Sequence, residues 1–538
     1  MRRSTGIRRL QPAWFKVALV GLLIMGIIFR FVNLDKKVYW HDEVYTSLRI
    51  TAHTRSELVE RAFNGNIIAP ADLQEYQQLD SNRDFWLAMY LAGIEDAQHP
   101  PLYYAIARWW VQVFGNSISA IRSLSVFSSL LVFPCLYWLC LELFESRLVG
   151  GVAIALVAVS PFQVLFAQEA REYSLWAATL LFCSAALLYA IRRQTKTAWV
   201  VYGVSLIVSL YTFLFTGLVA IGHSIYVLAI SPSYSLSLTD FRFHKTIVSY
   251  IVTSVIALIV LAPWLYFIFT YIEIVRATSG WSSISLPPLI TLQLSAFNFS
   301  RSFVDFDLKI DDPGAYGLVI PILLLQIYSL YFLCSHTSLK VWLFVLTLIG
   351  STALILAIPD LIIGGQRFTV TRYLIPCFLG LQLSTAYLIA AWLSSIHTFW
   401  RKMGMAIATL LIAIGILSCV VSSQAETWWS KVVSYDNPKI AKIINASENS
   451  IVVSDAFATN PGNVVSLSYL LNENVRLLLL PEVGSSLTVP DIPEQFSNIF
   501  ILNLPEHYLN QFQEKYRSNL TLIGEKTWHL SRPVEVEG

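Results

Sequence analysis

The sequence predicts a polytopic α-helical membrane protein of about eleven spans, closed by a small α/β domain at the C-terminal end. Three observations carry this reading. Of 538 residues, 55% are apolar or aromatic and only 13% are charged, with a mean hydropathy of +0.58; a soluble domain carries roughly 25% charged residues. The low charge is spread along most of the chain, so the solvent is mostly lipid. From about Gln424 onward the pattern changes to short apolar pieces alternating with polar, helix-like segments.

Basic residues precede an apolar run that begins near Phe15, as in a signal peptide, but no small-residue cleavage site follows Leu34, so a retained first span is expected. Further runs long enough to cross the hydrocarbon begin near Ala120, Leu148, Leu175, Trp199, Phe215, Ile247, Tyr316, Val341, Tyr373 and Ala406. Short cytoplasmic loops are rich in Lys and Arg. Arg2, Arg3, Arg8, Arg9, Arg192, Arg193, Lys196, Arg401 and Lys402 fall on one side and outnumber the basic residues of the opposite loops, which puts the N-terminus in the cytoplasm and the tail outside. The segment from Pro100 to Phe114 is apolar but carries Arg108; it reads as a helix on the outer membrane surface, where Tyr103, Tyr104, Trp109 and Trp110 suit the aromatic belt. The expected organisation is a membrane domain over residues 1–423, including an extracytoplasmic first loop over 35–119, and a soluble α/β domain over 424–538. In the tail, Ile451 to Val453, Val475 to Leu480 and Ile499 to Leu504 read as strands, and Pro438 to Ile444 and Glu506 to Tyr516 as helices.

Composition also excludes. Lys+Arg 37 against Asp+Glu 35 gives a net charge of +2, so no bulk field recruits nucleic acid. The six cysteines lie in apolar stretches without metal-ligand spacing, which makes them packed thiols rather than a disulfide framework or a zinc site.

Chemistry concentrates at the outer membrane face. After the first span, Trp40-His41-Asp42-Glu43 places two adjacent carboxylates there. On a helix they point about 100° apart, so one faces a substrate while the other binds a metal or caps the helix. Either acid can serve as general base for an acceptor hydroxyl; equally, both can simply start a surface helix whose dipole favours them. Gln168-Glu169-Ala170-Arg171-Glu172-Tyr173 ends the third span, with Glu169 and Glu172 three apart on one helical face and Arg171 suited to a phosphate. His99 opens the interfacial helix through Pro100 and Pro101 and can bind a phosphate or assist a metal. Arg372, followed by Tyr373, stands at the mouth of the tenth span, where an arginine holds a phosphate or anchors to lipid. One topology brings Asp42, Glu43, His99, Glu169, Arg171 and Arg372 to the same face. Bases and cations together suit transfer from a phosphate-linked donor.

These motifs resemble the polytopic C-type (GT-C) glycosyltransferases related to protein O-mannosyltransferases and the lipid A aminoarabinose transferase, called glycosyltransferase 39-like. Trp40-His41-Asp42-Glu43 looks like the acidic motif of that family's first outer loop, and His99-Pro100-Pro101-Leu102-Tyr103-Tyr104 like the HPPLYY that ends it. Ser160-Pro161-Phe162 with Gln168-Glu169-Ala170-Arg171 resembles the SPF and QEAR pattern, and Arg372-Tyr373-Leu374-Ile375-Pro376 the RYLxP. The resemblance covers roughly Phe15 to Leu393. It implies a GT-C fold and an inverting transfer of a sugar from a polyprenyl-phosphate carrier to a lipid, glycan or protein acceptor, with Asp42 the main catalytic residue. Asp42, Glu43 and Glu169 are thus the expected catalytic set, and His99, Gln168, Arg171, Glu172, Arg372 and Tyr373 the expected substrate and phosphate contacts. Two departures stand out: Glu172 replaces a common methionine, and Tyr211-Thr212-Phe213 lacks a histidine common after the fifth span. They leave a divalent metal open and its ligands unknown. A lipid-linked sugar flippase is the competing expectation; it calls for internal repeats and ionisable residues near mid-membrane, and the sequence shows neither pattern. A non-catalytic envelope scaffold is the third.

Overall fold

The computed structural model describes residues 13–230, 241–482 and 489–532. Arg2, Arg3, Arg8 and Arg9, which bear on orientation, lie outside the described residues. The chain divides into two compact units, the first made of residues up to Val32, Asp96–Tyr103 and Arg122–Gln424, the second of Asn33–Glu95, Tyr104–Ile121 and the chain from Ala425 on. Most of the first loop, which the sequence pattern assigns to the membrane domain, thus groups with the tail, while its Asp96–Tyr103 stretch belongs to the first unit.

The first unit is a helical bundle. Among the described residues seven helices are long and apolar enough to cross a membrane: Ile118–Phe144, Tyr173–Arg193, Lys245–Thr270, Pro313–His336, Leu339–Ile362, Thr371–Leu393 and Thr398–Ser434. Arg147–Ala158 and Pro161–Ala167, bent by 61°, make an eighth if the pair is one span. The remaining three expected spans are helices too, Ala13–Phe31, Lys196–Thr212 and Thr216–Ile230. With 17 and 15 residues the last two reach only about 25 and 22 Å at 1.5 Å per residue, short of the roughly 30 Å hydrocarbon.

Exposure follows the solvent expected. Val248, Ile251, Val255 and Ile259 recur every three or four residues along Phe241–Thr270 and are exposed, as a lipid-facing stripe would be. Ile375–Leu393 is buried nearly all round and packs against Arg147–Ala158, Tyr316–His336, Leu339–Ile362 and Thr398–Gln424, which makes it the bundle's central helix. One ionisable side chain inside the bundle is His223, which is buried, with Nε2 3.3 Å from Ser184 Oγ and Nδ1 3.4 Å from Tyr202 Oη. Both ring nitrogens meet hydroxyls, so the group packs as a satisfied polar residue. The six cysteines are free and buried or half-buried.

The break at Val159-Ser160 sets the course of the chain beyond it. Carbonyls at the end of Arg147–Ala158 lose their helical donors there, and a buried arginine of the first helix replaces them. Arg30 Nη1 donates to Ala158 O at 2.8 Å and Nη2 to Val157 O at 3.2 Å. Gly26 permits this approach, since a Cβ at that position would stand 2.5 Å from Ala158 O. In return Gln168 Nε2 donates to Phe29 O and Val32 O, both at 2.9 Å, at the end of the first helix. Pro161 then starts the next helix in the position that needs no amide donor.

The second unit is α/β, as the tail's pattern predicts. Its six-stranded sheet has the order β1-β3-β2-β4-β6-β5, formed by β1 (Ile67–Ile68), β2 (Ser450–Asp455), β3 (Arg476–Leu480), β4 (Asn498–Leu502), β5 (Leu520–Gly524) and β6 (Thr527–Ser531). β2, β3 and β4 are parallel and almost wholly buried, which is why they read as continuous apolar runs. β1 comes from the first loop and pairs antiparallel with β3. The helix His41–Thr51 packs on Asn460–Ser468. These two contacts tie loop and tail into one unit.

Candidate active site

In the first unit the stretch Gln168 to Glu172 links Pro161–Ala167 to Tyr173–Arg193 as a tight, wholly buried turn. Arg171 N–H donates to Glu169 O at 2.7 Å, and Glu172 occupies the N-cap of the following helix, where the dipole favours a carboxylate. Glu172 Oε1 accepts from His99 Nδ1 at 2.9 Å and from Arg171 Nη2 at 3.2 Å. Burial alone would raise the Glu172 carboxyl pKa; Arg171 and His99 outweigh it and hold the group down at about 2. A residue that departs from the family pattern therefore ties two of its motifs together. A second tie runs through hydroxyls: Tyr103 Oη meets Ser125 Oγ at 2.8 Å, and Ser125 Oγ donates to Arg171 O at 3.0 Å.

Aromatic rings collect the cations. Arg171 Cζ stands 5.5 Å and Arg372 Cζ 6.0 Å from the centre of the Tyr173 ring. Arg372 also lies over Trp281 at 5.7 Å and Tyr373 at 5.6 Å. Phe213, where the expected histidine is missing, is buried among the rings of His99, Tyr173, Trp176 and Tyr373. The loop carrying Trp281 is clasped to the Arg367 segment: Asp360 Oδ1 accepts from Arg367 Nη1 at 2.8 Å, Arg367 Nη2 donates to Ser283 Oγ at 2.7 Å, and Gln366 N–H donates to Ser282 O at 2.9 Å. Of the expected set, His99, Arg171, Glu172, Arg372 and Tyr373 come together here. Glu169 is buried in the same turn. Gln168 also lies in this turn, and its amide caps the first helix.

In the second unit Asp42 and Glu43 start the helix His41–Thr51 and separate as the helical rotation requires. Asp42 is half-buried. Glu43 is fully buried; its Oε2 accepts from Trp40 N–H at 3.4 Å and lies 3.5 Å from Lys431 Nζ, which is itself fully buried and 5.5 Å from the centre of the Trp40 ring. Glu43 is the capping partner of the pair. Among the described residues no group of three or more His, Cys, Asp or Glu side chains is arranged to hold a metal ion. Arg30, Trp281 and Lys431 do not stand out as site residues in the sequence. Arg30 alone carries a signal there, being a charge inside a span-length apolar run.

A bundle of membrane-length helices, a broken helix leading into a partly buried arginine-aromatic site and a small mixed sheet define a GT-C, glycosyltransferase 39-like fold. Residues 98–267, which include His99, Arg171 and Phe213, match the profile of the family described as dolichyl-phosphate-mannose-protein mannosyltransferase. Among solved structures the chain is similar to ArnT from Cupriavidus metallidurans bound to undecaprenyl phosphate, with 12% identity over 98% of this chain and 100% of that one and a TM-score of 0.50. The apo state of the same ArnT covers 97% of this chain and 99% of its own at 11% identity, with a TM-score of 0.48. At these identities the likeness is one of fold. No curated protein matches the chain significantly in sequence.

Proposed function

We propose that the protein is an inverting glycosyltransferase that moves a sugar from a polyprenyl-phosphate donor to an envelope lipid, glycan or protein acceptor at the outer face of the cytoplasmic membrane. The observation that carries the reading is the pair Arg171 and Arg372 gathered on one Tyr173 ring, backed by Glu172 and His99. Two guanidiniums in a largely buried, aromatic setting suit a lipid-borne phosphate, since such cations bind phosphate bidentately and act strongly where water is scarce. The solved ArnT structure bound to undecaprenyl phosphate supports a carrier of this chemistry.

In the proposed reaction Asp42 takes the proton of an acceptor hydroxyl as its oxygen attacks the anomeric carbon, the bond from that carbon to the phosphate oxygen breaks, and configuration inverts. Arg171 and Arg372 receive the charge that grows on the departing polyprenyl phosphate. Glu172 and His99 hold Arg171 in place. Glu43 serves the loop that carries Asp42, and Glu169 supports the turn that carries Arg171.

The test is release of free polyprenyl phosphate from a panel of polyprenyl-phosphate sugars, with membrane extract as acceptor, by wild type, Asp42→Asn, Glu169→Gln and Arg372→Met. Loss of release in Asp42→Asn with carrier binding retained, and loss of carrier binding in Arg372→Met, are expected. Folded protein that binds the carrier yet releases it from no donor overturns the transferase reading in favour of a flippase. Labelling of single cysteines placed in the tail, in sealed cells, checks the outer location.

A further inference from the structure

We propose that the C-terminal tail is the positioning element of the first-loop acid and that Lys431 is its positioning residue; this rests on the reading of Asp42 as the base.

The stretch from Val38 to Glu43 that leads into Asp42 is held from the tail at successive points. Val38 N–H donates to Glu426 O at 2.8 Å, and His41 N–H donates to Ser434 Oγ at 3.2 Å. Ser434 Oγ is placed in turn by Asn463 Oδ1 at 2.9 Å, which also accepts from Asn437 Nδ2 at 3.0 Å. Gly462 lies so close to the His41 ring that a Cβ there would stand 2.5 Å from Nδ1. Between these backbone ties sits the Lys431–Glu43 pair, with neither side chain exposed.

A buried ion pair is a poor way to gain stability, because apolar residues of similar size do as well without the desolvation penalty, whereas it fixes register where position matters. Here it fixes the rotation of a helix. Glu43 is the residue next to Asp42, and successive helical residues point about 100° apart. Pinning the Glu43 carboxylate under Lys431 therefore sets the direction in which Asp42 leaves the helix, toward its half-exposed position.

The backbone beside Lys431 indicates that this inward turn carries a cost. Val432 has φ 37° and ψ −107°, a region that a β-branched residue enters only under constraint, and its side chain is 58% exposed. The chain thus accepts a strained, outward valine while Lys431 points inward. Strain of this kind persists where the surrounding structure over-determines it, and it clusters at functional sites.

The experiment uses the full-length protein in lipid and the donor-release assay, on Lys431→Met, Lys431→Arg and the double variant Glu43→Gln/Lys431→Met. The double variant removes the buried charge that Lys431→Met would leave without its lysine, so folding and positioning separate. A misplaced catalytic group costs on the order of 100-fold in rate. Both methionine variants are therefore expected to lose roughly 100-fold in kcat while KM for the donor changes less than about 3-fold, and Lys431→Arg, which keeps the charge, is expected to recover most of the rate. Full activity in the double variant, or a loss that follows only the amount of folded protein, overturns the proposal. A readout independent of turnover is the rate at which a water-soluble maleimide labels Asp42→Cys. Adding Lys431→Met to that variant is expected to change the labelling rate several-fold, and an unchanged rate overturns the positioning role. Wild type that turns over no donor while labelling responds to Lys431→Met refutes the transferase reading and leaves the tie between tail and loop standing.

Discussion

Replacing Arg30 by methionine tests whether the broken helix depends on the first helix for its carbonyl partners. The side chain is 1% exposed and donates to Gly26 O, Ala158 O and Val157 O. Methionine keeps much of the volume, and it removes the charge together with the donors, so no buried cation is stranded. Val157 O keeps the Ser160 N–H at 3.4 Å, so the variant mainly removes the 2.8 Å donor to Ala158 O, which costs about 1–3 kcal/mol when left unsatisfied. The guanidinium contact with the Phe133 ring, 5.0 Å from Cζ to centroid, adds about 1 kcal/mol. Because these share one side chain they do not add fully, and a net loss of about 2–3 kcal/mol is expected. With a shift of at most 2–4 °C per kcal/mol for larger domains, the thermal midpoint should fall by roughly 4–8 °C. The assay is unfolding of purified protein in detergent followed by tryptophan fluorescence, beside donor turnover. Arg30→Lys, a single ammonium in place of a fork, should fall between wild type and Arg30→Met. An Arg30→Met protein that melts within about 2 °C of wild type refutes the capping argument.

Three further outcomes are expected. Glu172 has a folded pKa of about 2 against an ordinary 4.5, so its share of stability is complete above pH 4.5 and is lost as pH falls from there toward 2; Glu172→Gln should lower the neutral-pH midpoint, and the difference between wild type and variant should hold above pH 4.5 and shrink below it. Asp360→Ala removes the acceptor of both Arg367 Nη1 and Phe368 N–H, so it should cost about 2–4 kcal/mol and raise donor KM more than it lowers kcat, because the Trp281 loop beside Arg372 loosens; an unchanged KM speaks against that clasp. Val432→Gly relieves the positive φ while adding chain entropy, so a thermal midpoint raised by roughly 1–3 °C is expected, and a lowered one would mean that Val432 is not strained.

Much of the candidate site is legible in the sequence because it is written in local runs. The Gln168 to Tyr173 stretch, the His99-Pro100-Pro101 entry and Arg372-Tyr373 are each a handful of residues, and the charges stand out against an apolar background. The division of labour within them is not legible. Gln168 reads as a polar group at the membrane face; only the end of the first helix, more than a hundred residues earlier in the chain, shows that its amide caps carbonyls there. Glu43 reads as half of an acidic pair, and its partner Lys431 lies 388 positions away. Arg30 shows in the sequence only as a charge within an apolar run, whose periodicity reports burial and not partners.

The sequence by itself determined the solvent, the helical class, the places where helices form and the strands of the tail. Apolar length and period depend only on neighbouring residues, so they can be read without coordinates. The tertiary structure alone decided that the first loop joins the tail through β1, that a break in one helix is completed by an arginine from another, and that two arginines share one tyrosine ring. Each of these is a pairing between distant segments. Its physical cause is the need to satisfy buried polar groups, which sets that a partner must exist and leaves its identity to the fold.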